Sequence, residues 1–454
     1  QTITRLDTLY NNGHFPEKIE IIVNGGTWSA HPIRYKTWFI KRIFDACNEF
    51  KPYSYEREDL ITTGERKTLI ARRLSEYNHD WFQENKLGGV EDNELMGLLE
   101  KAQAINEKGR WRIIGLTLET RPDYITLKEL AHMRRLGCTK VELGVQTLYD
   151  DVQLLNNRGH DTSAVIRATK LLREAGFKIA YHMMPNLYGS TPERDIKMFE
   201  DLFNGPRFQP DHLKVYPCLV VKEAKLHKLF ESGAYKPYSD EVMFETLLQC
   251  KLRVAPYCRI SRLMRDIPST SIKGGLDTTN IRQDLQKEVA RRGLACRCIR
   301  CREARDETVG LDQAVLVRRE YEAGDGQEIF LSYESRDEKK IYAFVRLRVP
   351  QYVLAPLAVP PEENVISVLP ELADCAHIRE LHTYGKLVPL TTDGDSAVQH
   401  MGFGKRLMKE AERVACEEFK VKRMAVIAGV GVREYYAKLG YKLEGTYMVK
   451  DLNQ

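Results

Sequence analysis

Three cysteines fall within six residues, at Cys296, Cys298 and Cys301, whereas the other seven of the ten are scattered along the chain. Their C-x-C-x-x-C spacing lets three thiolates converge on one tetrahedral metal ion, and thiolate-rich structural sites favour zinc. Cys258 is the candidate fourth ligand because it lies in the same basic stretch of the chain. An iron–sulfur cluster and unliganded thiols are the alternatives that the spacing leaves open.

A basic stretch surrounds these cysteines. From Lys251 to Arg305 the chain has fourteen Lys and Arg against five Asp and Glu, although the net charge of the whole chain is only +5. Such an excess favours a polyanionic partner, whose phosphates arginines bind strongly, over a merely solvated surface. Arginines at positions 259, 262 and 265 are predicted to line one face of a helix. The predicted polyanion contacts are Arg259, Arg262, Arg265, Lys273, Arg297 and Arg300.

Small residues precede a predicted helix in the C-terminal part, in the string QHMGFG at residues 399–404. Glycines let the backbone approach a ligand, and the amides at a helix start attract an anion. A strand, a helix with Tyr435 and Tyr436, and a final strand follow. This order resembles the acyl-CoA-binding motif of the GNAT acetyltransferases, which implies a pyrophosphate near residues 403–406 and Tyr436 near the thioester. A tight turn and core packing of the tyrosines are the alternatives.

Polar or glycine residues follow the apolar runs of the first half. The runs at residues 19–23, 111–118, 140–145 and 178–184 end at or near Gly25-Gly26-Thr27, Glu119, Gln146 and His182. Predicted helices at residues 32–47, 127–136 and 163–175 separate them. Repeated βα units predict a parallel sheet curled into a full or partial barrel. The site of such a barrel lies at the C-terminal ends of its strands.

The repeated pattern stops between Pro256 and Gly310, and alternation from Leu311 onwards predicts antiparallel strands of a separate α+β domain. We therefore predict a barrel over residues 1–265, a basic module with the cysteines over 266–310, and the α+β domain over 311–454. No apolar run is long enough to span a membrane, and no signal peptide is recognised. Since the scattered cysteines suit a reducing compartment, a cytoplasmic location without a membrane partner is predicted.

Ordered strings along nearly the whole chain resemble the catalytic subunits of Elongator in their bacterial and archaeal stand-alone form. They are IIVNGGT at 21–27, GLTLETRPD at 115–123, VELGVQ at 141–146, RGH at 158–160, YHMMP at 181–185, RDIP at 265–268, RELHTY at 379–384 and GVGVREYY at 429–436. The resemblance implies an α/β fold class, with a radical SAM (βα) partial barrel followed by an α+β GNAT-type acetyltransferase domain. It also implies carboxymethylation of the tRNA wobble uridine from acetyl-CoA and S-adenosylmethionine.

The same resemblance implies roles for individual residues. Those matching the S-adenosylmethionine site are Gly25, Gly26, Thr27, Glu119, Gln146, Arg158 and His182. Those matching the acetyl-CoA site are Lys18, Glu380, Leu381, His382, Thr383, Gln399, Phe403, Gly404, Lys405 and Tyr436. The candidate catalytic residues are Tyr436, Tyr435 and His382. The implied partner is the anticodon stem-loop of tRNA, and a homodimer is an open alternative to a monomer.

Family members hold a 4Fe–4S cluster with three closely spaced cysteines before the glycine turn, and their counterparts are expected upstream of Gln1. We therefore expect this polypeptide alone not to reduce S-adenosylmethionine, whereas acetyl-CoA and tRNA binding would persist. Two other functions remain as alternatives: a protein lysine acetyltransferase, and a tRNA-binding scaffold without turnover. The basic stretch and the strand-end residues favour the tRNA-modifying enzyme over the protein acetyltransferase.

Overall fold

The computed structural model describes residues 1–52, 91–265, 267–276, 280–304, 311–384 and 402–452. Contacts between residues divide the chain into two compact units. One comprises Gln1–Glu20, His31–Ile114 and Val430–Glu434, and the other comprises Ile21–Ala30, Gly115–Gly429 and Tyr435–Gln454. The domain boundaries at 265 and 310 stay a prediction. None of the described helices has the length and apolarity that crossing a membrane requires.

Strands and helices alternate in the first part, and strands dominate after residue 314. The strands are β1 (Lys18–Val23), β2 (Arg112–Thr120), β3 (Lys140–Gln146), β4 (Lys178–Met183), β5 (His212–Val215), β6 (Val220–Val221), β7 (Arg259–Arg262), β8 (Ile272–Gly274), β9 (Val315–Ala323), β10 (Gly326–Glu334), β11 (Ile341–Val349), β12 (Cys375–Thr383), β13 (Arg423–Val426), β14 (Lys442–Glu444) and β15 (Tyr447–Asp451). The helices are α1 (Thr2–Asn11), α2 (Ile33–Glu49), α3 (Asp92–Lys108), α4 (Leu127–Arg135), α5 (Asp150–Leu155), α6 (Thr162–Glu174), α7 (Pro192–Asp201), α8 (Leu226–Glu231), α9 (Asp240–Leu252), α10 (Ile281–Arg291), α11 (Ile299–Arg302), α12 (Gln351–Leu354), α13 (Phe403–Arg413) and α14 (Arg433–Ala437).

Six strands form one sheet in the order β1-β2-β3-β4-β5-β7, and every pair from β2 to β7 is parallel. β3 and β4 are buried on both faces, as strands covered by helices are. Thr126, Asp161 and Thr191 cap helices α4, α6 and α7 by accepting a hydrogen bond from a backbone N–H. The repeated βα units predicted from the sequence are therefore confirmed.

The strand β7 corrects the predicted helix with Arg259, Arg262 and Arg265 on one face. β7 pairs in parallel with β5, with Arg259 beside His212 and Ile260 beside Leu213. A strand advances about 3.3 Å per residue, so its side chains do not form a helical ridge, and Arg265 lies beyond its end. The βα pattern therefore continues into the basic stretch, where the sequence predicted that it stops.

Seven strands form the second sheet, in the order β14-β15-β13-β12-β11-β10-β9. β9 to β12 are antiparallel neighbours, as predicted, whereas β12 and β13 pair in parallel. β12 pairs with β11 as far as Thr383, but within the described chain it pairs with β13 only from Cys375 to Ile378. The last five residues of β12 therefore extend beyond its pairing with β13.

Buried charges join the second sheet to the elements of the parallel sheet. Asp211, just before β5, accepts hydrogen bonds from Arg379 of β12, and Glu328 of β10 also accepts from Arg379. Arg173 of α6 lies 3.1 Å from the Glu328 carboxylate, and Arg346 of β11 lies 3.5 Å from Asp211. All five residues are buried. Buried ion pairs thus form part of the contact between the two sheets.

Candidate active site

The polar ends of β2, β3 and β4 meet at one edge of the parallel sheet. Glu119 of β2 and Glu142 of β3 are direct neighbours in the strand register. His182 of β4 lies between the carboxylates, with Nε2 2.8 Å from Glu142 Oε2 and Nδ1 3.3 Å from Glu119 Oε1. Parallel strands bring their carboxyl ends to one edge, which is why residues distant in sequence meet here. Glu119 and His182, both predicted from the sequence, thus belong to one group.

These contacts oppose the effect of burial on the pKa values of Glu142 and His182. Burial alone would raise the pKa of Glu142, but the hydrogen bond with His182 and the ammonium groups of Lys140 and Lys214 lower this pKa to about 2. Burial alone would lower the pKa of His182, but its contacts with Glu119 and Glu142 raise this pKa above 6.5. A histidine ring whose two nitrogens face the Glu119 and Glu142 carboxylates is a preorganised polar group, fixed in its orientation at the strand ends.

Sequence reasoning missed Glu142 and Lys214. Lys214 is the register neighbour of His182, and its ammonium donates to Glu142 Oε2. A charged residue inside the apolar string VELGV was the signal that could have identified Glu142. Glu119, Glu142 and His182 are close enough to hold a metal ion. Because the His182 ring and the Lys214 ammonium already contact these carboxylates, however, the group suits a polar ligand better than a cation.

Gln146 and Arg158 lie together beyond β3. Arg158 Nη2 donates to the Gly144 carbonyl at 3.0 Å. A Cβ on Gly144 would lie 3.2 Å from Gln146 Nε2 and 3.3 Å from Arg158 Nη2, so a larger residue would displace both side chains. Gln146 has a φ of 67°, a left-handed conformation that residues other than glycine adopt at a cost. Such strain at a strand end supports a functional role for Gln146.

The glycine turn after β1 leaves its backbone accessible. Gly25 and Gly26 have φ values of 113° and 70°, which favour glycine, and no described atom lies within 4 Å of either Cβ position. The carbonyl of Thr27 accepts a hydrogen bond from the Ala30 N–H at 3.0 Å. Open space at both glycines suits close approach of a ligand to the backbone, and their contact with S-adenosylmethionine stays a prediction.

Helix α13 begins with a left-handed residue, Gly402, whose φ is 66°. Phe403, the first helical residue, is buried and stacks on Tyr333 of β10 with ring centroids 4.5 Å apart. The guanidinium of Arg406 lies 4.6 Å from the centre of the same Tyr333 ring. These contacts fix the start of α13 against the second sheet. Backbone amides at a helix start carry partial positive charge and attract anions.

Gly404 is the point of closest packing at this helix start. A Cβ on Gly404 would lie 3.2 Å from the Tyr435 hydroxyl, 3.9 Å from Leu381 Cδ2 and 4.0 Å from Thr383 Oγ1. A side chain at this position would therefore require the Tyr435 hydroxyl to shift by a few tenths of an ångström. The structure brings four residues of the predicted acetyl-CoA and catalytic sets to one place.

Successive side chains of β12 point to opposite faces of the sheet, so the four predicted acetyl-CoA residues at positions 380–383 form two groups. Leu381 and Thr383 face the start of α13. Glu380 and His382 point to the other face, where Glu380 accepts a hydrogen bond from Arg346 Nε at 2.8 Å. The buried Glu380 carboxylate thus serves an ion pair inside the protein, whereas His382 is exposed. A direct contact of Glu380 with acetyl-CoA stays a prediction.

The two adjacent tyrosines differ in their surroundings. Tyr435 is 37% exposed, and its hydroxyl is the one that lies beside Gly404. Tyr436 is buried, and burial raises the pKa of its hydroxyl well above 10. Lys405 is exposed in the first turn of α13. The predicted ligand Gln399 lies outside the described residues.

Lys18 belongs to the other compact unit and is the first residue of β1. Burial lowers the pKa of its ammonium, and the neighbouring Glu17 carboxylate offsets part of that effect. A lysine whose charge is weakly compensated is available to an anionic ligand. The contact of Lys18 with acetyl-CoA stays a prediction.

The cysteine cluster is assembled as predicted. The Sγ atoms of Cys296, Cys298 and Cys301 all lie within 4.8 Å of one another. The Lys251 ammonium donates to Cys301 Sγ at 2.9 Å. Hydrogen bonds from the Cys296 and Cys298 thiols, together with the Lys251 charge, hold the pKa of Cys301 well below its usual range. Three converging thiols, one of them a thiolate, fit a soft metal centre such as zinc or an iron–sulfur cluster.

Cys258 is not among the close ligand atoms found in the described chain. It is buried, and its backbone carbonyl accepts a hydrogen bond from the N–H of Ile299 at 3.0 Å, next to Cys298. The backbone of Cys258 is therefore attached to the cluster although its thiol is not part of the close group. Its role as the fourth ligand stays a prediction.

Two of the six predicted polyanion contacts are engaged inside the protein. Glu303 accepts hydrogen bonds from both Arg259 and Arg300, each at 2.5 Å, and Arg259 also donates to the Tyr384 hydroxyl at 3.0 Å. The other four side chains are exposed: Arg262, Arg265, Lys273 and Arg297. Acids outside the basic stretch neutralise further arginines, in the pairs Arg253–Glu200, Arg292–Glu245 and Arg302–Glu334. The exposed positive charge is thus smaller than the composition indicates.

Comparisons with known proteins agree on one group of relatives. The chain matches the Radical SAM superfamily over residues 63–202 and the Radical_SAM C-terminal domain over residues 210–291. It is 39% identical over its whole length to the tRNA uridine(34) acetyltransferase of Methanocaldococcus infernus, covering 75% of that protein. It is 36% identical to Elongator complex protein 3 of Homo sapiens, again over its whole length and over 73% of that protein. The solved structure of the archaeal Methanocaldococcus infernus Elp3 with N-terminus deletion (1–46) superposes with a TM-score of 0.80 at 39% identity, covering 99% of this chain and 94% of that one.

Proposed function

Because this chain belongs to the family of tRNA uridine(34) acetyltransferases and Elongator complex protein 3, we propose that it converts the wobble uridine of tRNA to 5-carboxymethyluridine, using acetyl-CoA and S-adenosylmethionine. It is a tRNA-modifying enzyme of the radical SAM superfamily. The predicted fold class, a radical SAM partial barrel followed by an α+β acetyltransferase-type domain, is confirmed by the match to the archaeal structure.

The observation that carries the proposal is the way in which β12 connects the two candidate sites. Leu381 and Thr383 face the start of α13. Glu380, on the other face of the strand, lies 3.7 Å from His212 Nε2 of β5. The same β5 carries Lys214, whose ammonium belongs to the group at the edge of the parallel sheet. Contacts between β5 and β12 therefore support a fixed distance between the two candidate sites, as a reaction requires in which S-adenosylmethionine and acetyl-CoA act together on one base.

S-adenosylmethionine, when bound with an iron–sulfur cluster, supplies the radical chemistry that forms a carbon–carbon bond at the unreactive C5 of uracil. The residues of this chain orient it. Glu119 would offer a carboxylate acceptor to its polar groups, His182 would hold that carboxylate in place from Nδ1, and Gly25 and Gly26 would offer backbone groups. Glu142 and Lys214 hold His182 in place. Gln146 and Arg158, packed around Gly144, complete the proposed set.

Acetyl-CoA is proposed to bind at the start of α13. The amides of residues 403–405 would hold its pyrophosphate, and Gly404 would allow the backbone to come close. Tyr436 keeps its proton at neutral pH because burial raises the pKa of its hydroxyl, so it would act as a hydrogen-bond donor rather than a base. Tyr435, whose hydroxyl is already at Gly404, is the neighbouring polar group, whereas a catalytic role for His382, on the other face of β12, stays a prediction.

Zinc and the anticodon loop of tRNA complete the proposal, with the residues that the sequence predicted for them. Zinc at Cys296, Cys298 and Cys301, with Cys258 as fourth ligand, is supported by the soft donor set. The anticodon loop of tRNA, whose bases are accessible without melting a duplex, would contact the exposed basic side chains. A cytoplasmic location remains part of the proposal, and monomer and homodimer both stay open.

The test is acetyl-CoA hydrolysis by the purified chain, measured with unmodified tRNA, with a histone-like peptide, and with neither. We expect tRNA alone to raise the rate, because base and thioester must be held together. A rate that rises with the peptide and not with tRNA would replace the proposal with a protein lysine acetyltransferase. Tight tRNA binding without measurable affinity for acetyl-CoA would replace it with a scaffold.

A further inference from the structure

A cavity of about 690 Å³ lies between the cysteine cluster and the turn that joins β10 to β11. One side of its wall comes from the chain around Cys296 and Cys301, and the other side comes from residues 336–339 of the turn. Five basic side chains and two carboxylates line it. Two segments distant in sequence therefore enclose one positively charged groove, which we call the turn groove.

The two carboxylates of the turn groove are used within the turn and the sheet. Asp337 Oδ1 accepts hydrogen bonds from Ser335 Oγ at 2.7 Å and from the Lys339 N–H at 3.2 Å. Glu338 Oε2 accepts a hydrogen bond from Arg319 at 2.8 Å. Arg319, which lies outside the groove lining, compensates the charge of Glu338, so the five basic side chains of the lining still outweigh the acids.

The turn is held rigidly against the cysteine cluster. The Ser335 N–H donates to the Lys340 carbonyl at 3.0 Å and closes the turn. Arg302, next to Cys301, donates to Glu334 at 2.7 Å and to the Glu338 carbonyl at 3.3 Å. A ligand entering the groove thus meets a preformed surface, which lowers the entropy lost on binding.

Three of the five basic side chains are exposed and have at most a long ion pair with a carboxylate. Lys251 is bound to Cys301 and Arg302 to Glu334. The side chains of Arg297 and Lys339 are 63% and 78% exposed, and their nearest carboxylate oxygens lie 3.8 Å and 3.5 Å away. Arg336 is exposed and forms no ion pair with any part of the chain that the structure describes. Arg297 stands on one wall, and Arg336 and Lys339 stand on the other.

We propose that the turn groove binds the phosphodiester backbone of the RNA substrate. This inference rests on the proposed function, and it adds a surface at the β10–β11 turn of the second sheet to the proposed RNA contacts. Arginine forks match phosphate oxygens, and two walls suit a chain of phosphates that runs between them. Arg336 and Lys339 were not among the contacts predicted from the sequence, because the turn lies far from the basic stretch in the chain.

The groove is linked to the acetyl-CoA-type site through consecutive residues. Cys301 and Arg302 line the groove, and the next residue, Glu303, binds Arg259. Arg259 in turn donates to the hydroxyl of Tyr384, the residue after β12. RNA held in the groove would therefore contact the segment Cys301–Glu303, which is linked through Arg259 to the end of β12.

The test compares R336Q/K339Q with the wild-type chain in binding to tRNA, over about 50 to 300 mM salt, where each lost phosphate contact lowers the salt slope by about one. The control K420Q/K442Q removes two exposed lysines elsewhere on the same domain. We expect R336Q/K339Q to bind roughly tenfold more weakly with a slope reduced by about two. The control should match the wild type, and R336K should keep most of the affinity.

Equal salt slopes of tRNA binding for R336Q/K339Q and the wild type would overturn the proposal that the groove binds RNA. The proposed function, which rests on tRNA-dependent hydrolysis, would be unaffected. A selective loss of acetyl-CoA affinity in R336Q/K339Q would also overturn the RNA-binding proposal, because the groove would then bind acetyl-CoA. Failure of the wild-type chain to bind tRNA at all would overturn both proposals. Because both substituted side chains are exposed, thermal unfolding of the variant is expected to match that of the wild type.

Discussion

Arg379 of β12 and Asp211, the residue before β5, form a two-pronged ion pair with nitrogen–oxygen distances of 2.8 Å and 2.7 Å. Both residues are buried, and Arg379 and Arg346 hold the pKa of Asp211 well below its usual range although burial alone would raise it. The pair joins the strand of the acetyl-CoA-type site to the barrel strand that carries Lys214. The relative position of the two sites thus depends on a buried salt bridge.

We expect Asp211→Asn to lower the free energy of unfolding by about 3–5 kcal/mol, because it leaves buried arginines without their counter-charge. The measurement is the midpoint of urea denaturation followed by tryptophan fluorescence. Glu418→Gln is the matched control, since it breaks the exposed Arg318–Glu418 pair at 2.7 Å and should cost less than about 1 kcal/mol. Equal shifts for both variants would mean that the buried network does not join the sheets.

Glu142→Gln should lower the pKa of His182, because it removes the carboxylate 2.8 Å from Nε2. The measurement is an NMR titration of histidine-labelled protein, with Glu444→Gln at an exposed ion pair as the control. Since the folded-state pKa is raised, the imidazolium stabilises the wild type fully below the unfolded value of about 6.5, and that stability is lost as the pH rises through the folded-state pKa. An unchanged titration in Glu142→Gln would contradict the assigned contact.

Gly404→Val should weaken acetyl-CoA binding by at least about tenfold, because its side chain would enter the space between Tyr435, Leu381 and Thr383. Isothermal titration calorimetry measures the affinity directly. Gly97→Val is the control, since no described atom lies within 4 Å of the Cβ position of Gly97. If Gly404→Val binds acetyl-CoA as tightly as the wild type, acetyl-CoA does not bind at the start of α13.

Cys298→Ser should abolish the metal content of the purified protein, because a buried ligand from the centre of the cluster is lost. Elemental analysis measures the amount and identity of the metal, with about one zinc per chain expected for the wild type. Cys47→Ser replaces a buried cysteine that is not part of the cluster and should retain the metal. Loss of metal in Cys258→Ser would identify the fourth ligand, and iron with sulfide in place of zinc would contradict the assignment.

The parallel sheet, the strand-end site and the cysteine cluster could be predicted from the sequence because each depends on local patterns. Polar residues at the ends of apolar runs, such as Glu119 and His182, reach the same edge in any parallel sheet. Cysteines two and three residues apart, as in Cys296 to Cys301, are close enough along the chain to converge on one ion, and here they do. Spacing along the chain was enough in these cases.

What the sequence could not determine depends on contacts between distant segments. β7 is a strand because the backbone of β5 lies beside it, although its four residues favour no structure of their own. Glu380 matches an acetyl-CoA contact by position, yet the tertiary structure places its carboxylate against Arg346. The charge of the basic stretch is partly neutralised by acids such as Glu334, which are far away in the sequence. A side chain's partner is set by packing across sheets, and no local pattern encodes which distant charge will lie opposite.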